Sequence, residues 1–144
     1  IIDLLKQIKV IHRNGRPDLF SDDESKFNHA EVEAILLDEK RRIFVSVDED
    51  DIVNGYIFCQ FRETEGNGLL KKHKTLWIED FCVDEYARSG GIGKLLHKTA
   101  EEYAIETGCD DLTLNVWGFN SGAKAFYEAN GMSVQRMVME KKLK

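Results

Sequence analysis

Apolar positions at helical spacing open this chain. In IIDLLKQIKVIH, Ile1, Leu4, Leu5, Ile8 and Ile11 fall on one stripe, and the NGRPD that follows ends the helix with Gly15 and Pro17. Val32, Ile35 and Leu36 make a second stripe on a helix from His29 to about Lys40, whose other face is charged. The period then shortens. RIFVSV and IVNGYIFCQF, on either side of the acidic DEDD, read as the antiparallel strands of a hairpin. ETEGNGLLKKHK is a polar loop, in which the KKHK run reads as exposed charge, and TLWIEDFCV is a third strand. Beyond it, Ile92, Leu95, Leu96, Thr99, Ala100 and Tyr103 stripe a helix reaching about Thr107, with Lys94, His97, Lys98, Glu101 and Glu102 outside. DLTLNV reads as a strand, SGAKAFYEAN as a helix and MSVQRMVME as a last strand. No linker, repeat or low-complexity stretch interrupts this order.

Composition narrows the classes. With 144 residues, 42% of them hydrophobic, residues 1–144 are expected to form one domain able to bury a core of its own. The net charge of −6 argues against a nucleic-acid partner, which calls for a basic face, and suits a cationic one. Cys59, Cys82 and Cys109 lie far apart and form no CxxC pair, so neither a disulfide framework nor a zinc knuckle is expected, and a reducing, cytoplasmic setting is. His12, His29, His73 and His97 show no ligand spacing with one another or with the cysteines, so no metal is expected. No apolar run approaches the roughly 20 residues of a membrane span, and no signal-peptide pattern opens the chain. A soluble protein without membrane contact, monomeric or homodimeric, is the expectation.

The chemistry concentrates in YARSGGIGKLL, where three glycines crowd a turn between an apolar strand and a helix. Free backbone N–H groups at a helix start, the helix dipole and the absence of side chains together make a phosphate site, although a tight ligand-free connection would use the same glycines. The spacing excludes a Walker A loop, because Arg88 stands where its first glycine belongs and Leu95 where Ser or Thr belongs. A dinucleotide fingerprint starting at Gly91 and Gly93 fails at Leu96.

Arg88-Ser89-Gly90-Gly91-Ile92-Gly93 resembles the pyrophosphate loop of the GCN5-related N-acetyltransferases (GNAT), whose motif is Arg or Gln, two residues, Gly, one residue, Gly or Ala. WIEDFCVDEYARSGGIGKLL is similar to the strand, turn and helix of that family, and NVWGFNSGAKAFYEANGM to its later strand and helix, so the resemblance covers residues 76 to 132. It implies a mixed, largely antiparallel α/β sheet with helices on both faces and a V-shaped opening. It also implies acetyl-coenzyme A as donor. The backbone of Phe81, Cys82 and Val83 would bond the pantetheine arm, and the N–H groups from Arg88 through Ser89, Gly90, Gly91, Ile92 and Gly93 to Lys94 would hold the pyrophosphate. The Lys94 side chain is either a phosphate contact or a solvated helix residue.

Asn120 and Ala123 lie seven and four residues ahead of Tyr127, on one helix face, with Asn120 placed to cap the helix. In the family that face looks at the thioester, and a matching Tyr donates a proton to the departing thiolate; without the family position, Tyr127 would read as a core aromatic. An alkyl amine with a pKa of about 10.4 must lose a proton before it attacks. Alternation places Glu79 on the strand face of Trp77, Phe81 and Val83, which makes it the candidate base, directly or through water, or a binding group for the cationic acceptor. Asp80 would point the other way unless a bulge intervenes. Cys82 is expected to be a small buried residue and not a nucleophile, since no His is placed in sequence to activate it. The expected activity is acetyl transfer to a primary amine, from a small acceptor or, as the alternative, a protein N-terminus or lysine; a non-catalytic coenzyme A-binding module is the remaining reading. Family members start with a strand ahead of the first helix; this sequence opens within a helix, so that strand is expected to be absent, truncated or outside this sequence.

Overall fold

The computed structural model describes residues 1–22 and 25–144. The elements run α1 (Ile2–Gly15), α2 (His29–Leu37), β1 (Arg41–Val47), β2 (Val53–Thr64), β3 (His73–Val83), α3 (Ile92–Glu106), β4 (Asp111–Leu114) and α4 (Ser121–Ala129). The four strands lie in the order β1-β2-β3-β4, the first three antiparallel and β4 parallel to β3. The expected mixed sheet is therefore present, and α1 is the first element among the described residues.

Two cores explain why helices flank both faces. Leu4 and Leu5 of α1 and Val32 and Ile35 of α2 pack with Tyr56, Phe58 and Cys82 on one face. On the other, Leu96, Ala100 and Ala104 of α3 pack with Ile57, Cys59, Leu76 and Ile78. The entry to α2 is fixed by a reciprocal cap, in which the Asn28 side chain accepts from the Glu31 N–H and the Glu31 carboxylate from the Asn28 N–H. The far end of α1 is fixed by contact: a Cβ on Gly15 would lie 2.2 Å from the Phe119 ring, so only glycine lets the loop before α4 close against α1. Leu5 is fully buried. Leu5→Ala should therefore cost about 2–5 kcal/mol in urea unfolding. A loss below about 1 kcal/mol would mean that α1 does not anchor this core.

Three expectations are corrected. Leu36 is exposed, because α2 ends at Leu37 and turns only Val32 and Ile35 inward. On α3 the stripe is displaced: Leu95 is exposed while His97 is buried, because α4 covers that flank and the imidazole packs against Phe126 and Tyr127 and meets Met132. The last strand does not form. Residues 132–144 have no regular secondary structure, and Met137, Val138 and Met139 are exposed. Apolar content alone makes no strand without a neighbour to complete its ladder; this segment is instead tied toward α1 by Glu140 to Arg16 and Lys142 to Asp18.

Candidate active site

The site begins with one extra residue in β3. Phe58 pairs with Asp80 and the adjacent Cys59 with Ile78, so Glu79 has no partner of its own on β2 and forms a bulge. The bulge inverts the alternation. Before it, Leu76 and Ile78 face α3; after it, Phe81 and Val83 do, while Cys82 joins the core under α1 and α2. The expected common face for Trp77, Glu79, Phe81 and Val83 is thus corrected. Glu79 points toward β1, with its carboxylate 3.5 Å from an Arg41 guanidinium nitrogen, and Asp80 points inward from the same bulge.

At the same place the sheet opens. β3 and β4 pair only from Thr75 with Asp111 to Ile78 with Leu114, and beyond these residues they part. From Asp80 to Val83, β3 keeps its β2 partner on one edge and has none on the other, which is the V-shaped opening expected for a pantetheine arm. Two groups along that stretch are already engaged: the Phe81 N–H donates to Asp80 Oδ1, and the Val83 carbonyl accepts from Arg88 Nε.

A cleft of about 110 Å³ occupies the mouth of the split and gathers Glu79, Asp80, Phe81, Asn120, Ala123 and Tyr127. That volume suits the reacting ends of two substrates, since a whole-ligand pocket takes roughly 300–1,000 Å³. Asn120 caps α4 as expected, its Oδ1 accepting from the Ala123 N–H, which aims the Ala123–Tyr127 face at the cleft. Burial, reinforced by the negative Asp80, pushes the Tyr127 phenol up to about 12. Burial also raises Asp80, opposed chiefly by Lys26 and by the Phe81 N–H. Asp80 Oδ2 and the Tyr56 hydroxyl are both buried without a hydrogen-bond partner among the described residues. A buried carboxyl with a raised pKa and an unused oxygen is a better proton acceptor than an ordinary carboxylate.

The glycine turn leads from β3 into α3. Ser89 and Gly91 take left-handed backbone, with φ of 72° and 82°, and Gly91 caps the helix without a side-chain bond. Among the described residues, no main-chain N–H from Arg88 through Lys94 donates to a protein acceptor. These N–H groups at the start of a 15-residue helix are the anion-binding arrangement anticipated for the pyrophosphate. Gly93 serves packing as well, because its missing Cβ would sit 3.4 Å from the Phe126 ring of α4. Cys82 is buried, and its thiol is pushed up to about 11 chiefly by desolvation, which suits an inert core residue.

Three residues in the cleft went unmarked by the sequence. Lys26 reaches it from the segment ahead of α2, His12 from α1, and Trp117 from the loop after β4. His12 and Trp117 both contact the Phe20 ring, and burial, with Lys26 nearby, lowers the His12 pKa. No periodicity marks a lysine on a loop. Paired acids inside an otherwise apolar strand were the signal for Asp80, since both could face the cleft only through a bulge.

Residues 6–132 match the acetyltransferase (GNAT) family. The chain belongs to that family. As a GNAT protein it is an acetyl-coenzyme A-dependent N-acetyltransferase. The F44R variant of the BH1408 protein from Bacillus halodurans is 34% identical, with a TM-score of 0.94 over 98% of this chain and 90% of that one. Thialysine N-epsilon-acetyltransferase from Bos taurus is 29% identical over 128 residues, 89% of this chain and 68% of that protein. The aminoglycoside acetyltransferase AAC(6')-Iy, in complex with the bisubstrate analogue CoA-S-monomethyl-acetylneamine, gives a TM-score of 0.71 at 18% identity over 96% of this chain and 93% of that one, a likeness of fold alone. Among the described residues no group of His, Cys, Asp and Glu could hold a metal ion, and no helix is long and apolar enough to cross a membrane.

Proposed function

We propose that this GNAT enzyme transfers the acetyl group of acetyl-coenzyme A directly to a primary amine of a small cationic acceptor. The observation that carries the reading is the cleft at the β3–β4 split, where the Tyr127 phenol, the Asp80 carboxyl and the Glu79 bulge meet within reach of an open strand edge. The pyrophosphate would lie on the N–H groups of residues 88–94, and the pantetheine arm along Phe81, Cys82 and Val83. The amine enters from the α1 side, loses a proton to Asp80 or to water ordered by Glu79, and attacks the thioester carbonyl. As the C–S bond breaks, the Tyr127 hydroxyl donates to the leaving sulfur. The net charge of −6 and the bulge carboxylates favour an acceptor that arrives as a cation. The small cleft favours an unencumbered amine terminus, and the name of the bovine relative points to a small amine too. An acceptor screen reading free thiol release tests this. Release with small polyamines or basic amino acids supports it; release with lysine peptides alone would move the acceptor to protein, and saturable acetyl-coenzyme A binding without any release would make the chain a binding module.

The two carboxylates separate by kinetics. Asp80→Asn should lower kcat at neutral pH, with partial recovery at alkaline pH as free amine accumulates. Because burial raises Asp80, the acid limb of the parent profile should lie above the usual carboxylate range. The same shift gives stability that is full below the unfolded-state pKa and lost as pH climbs through the raised value, so Asp80→Asn should unfold later than the parent at high pH. Glu79→Gln should raise KM if Glu79 binds the cation, or lower kcat if it orders the proton-accepting water. Parent-like profiles for both variants would hand proton removal to bulk solvent.

A further inference from the structure

The cleft already contains an amine. Lys26 places its Nζ 2.5 Å from the main-chain oxygen of Glu79 and 3.9 Å from Asp80 Oδ2. Its side chain is about half exposed, so it reaches the bulge from the solvent side, and among the described residues it is the sole lysine lining the cleft. Other lysine ammonium groups are engaged elsewhere, Lys74 with the Thr107 carbonyl, Lys98 with Glu102 and Lys124 with Glu128. A carbonyl acceptor and a carboxylate are what an incoming acceptor ammonium requires; Lys26 has both at its Nζ and shares the cleft with the Tyr127 phenol.

We propose that the enzyme acetylates its own Lys26 in cis, an inference that rests on the reading of this cleft as the acetyl-transfer site. The Lys26 ammonium gives one proton to Asp80 or water, and the neutral Nζ attacks the thioester carbonyl. The N–C bond forms, the C–S bond breaks, and the electron pair leaves on the coenzyme sulfur, which is protonated with Tyr127 as donor; the amide nitrogen releases its second proton to solvent. The products are acetyl-Lys26 and free coenzyme A, and nothing is oxidised or reduced. Modification replaces a cation at the bulge by a neutral amide, removing the charge that repels a cationic acceptor from Glu79 and Asp80. An enzyme held in acetyl-coenzyme A without acceptor would thereby reset its own acceptor KM.

The test incubates the intact protein with acetyl-coenzyme A alone and maps acetylated peptides over time. Lys26 should be modified ahead of every other lysine, at a first-order rate independent of protein concentration, and about 100-fold more slowly in Tyr127→Phe. Pre-acetylated enzyme should then show a lower KM for a cationic amine than untreated enzyme. Acetyl spread over surface lysines at a rate indifferent to Tyr127→Phe would overturn the proposal as ordinary chemical acetylation, and a rate rising with protein concentration would overturn transfer in cis. Small-amine turnover in the same tube with Lys26 unmodified would defeat this inference and leave the proposed function standing. Absence of both reactions, with no acetyl-coenzyme A binding by calorimetry, would bring down the two together.

Discussion

Tyr127→Phe should leave acetyl-coenzyme A binding intact and lower kcat by about 100-fold or more, the scale of a lost general acid. The ring survives the change, so its packing on Phe81, Phe126 and His97 is kept and only the hydroxyl disappears. With the phenol pushed up to about 12, the donor stays protonated across the working pH range, and no alkaline limb from Tyr127 should appear below that value. A phenol at about 12 is a weaker acid than a thiol at ~8.5, so transfer completed ahead of C–S cleavage would run uphill. The hydroxyl must act as charge develops on sulfur. It follows that the loss should shrink for acyl donors whose leaving thiol is more acidic, a dependence readable from a thioester series. A uniform, small loss across that series, with C–S cleavage rate-limiting, would reduce Tyr127 to a packing residue.

Gly91→Glu should abolish acetyl-coenzyme A binding while the domain stays folded. The Cβ at this position would meet nothing within 4 Å, so no neighbour is displaced. Forcing a side chain onto a φ of 82° costs about 1–2 kcal/mol, and an anion at the start of α3 returns about 0.3–1 kcal/mol through the helix dipole. The net cost is small beside the stability of a domain, roughly 5–15 kcal/mol. Against the ligand both effects act the same way, since the new carboxylate fills the phosphate approach and repels its charge. Unaltered affinity in a calorimetric titration would remove the pyrophosphate from residues 88–94.

The parts of this site legible in the sequence are those where one residue type answers one local need. The glycine turn announces itself because left-handed backbone and close approach tolerate little else, and Asn120 because a helix start needs a side-chain acceptor. Where side-chain type and environment part company, the pattern misleads. His97 looks polar and is buried because α4 closes over it, and Leu95 looks apolar and is exposed because nothing covers it. MSVQRMVME is rich in apolar residues and still forms no strand, since a ladder belongs to two segments and only one of them is in that string. Asp80 was legible only on the condition of a bulge, which alternation alone does not reveal, and Lys26 was hidden by lying on a segment with no period at all.

The bulge at Glu79 ties the chemistry to the length of the strand. Because it sets the parity of everything after it, removing one residue between Ile78 and Phe81 would turn Cys82 toward α3 and Phe81 into the core under α1 and α2, undoing both cores together. An exchange of side chains in this segment should therefore be tolerated far better than an insertion or deletion within it. Divergence of acceptor preference in proteins built this way should be written in substitutions at positions 79 and 80 and in the segments from α1 and the α4 loop that face them, with the residue count from Leu76 to Val83 held constant.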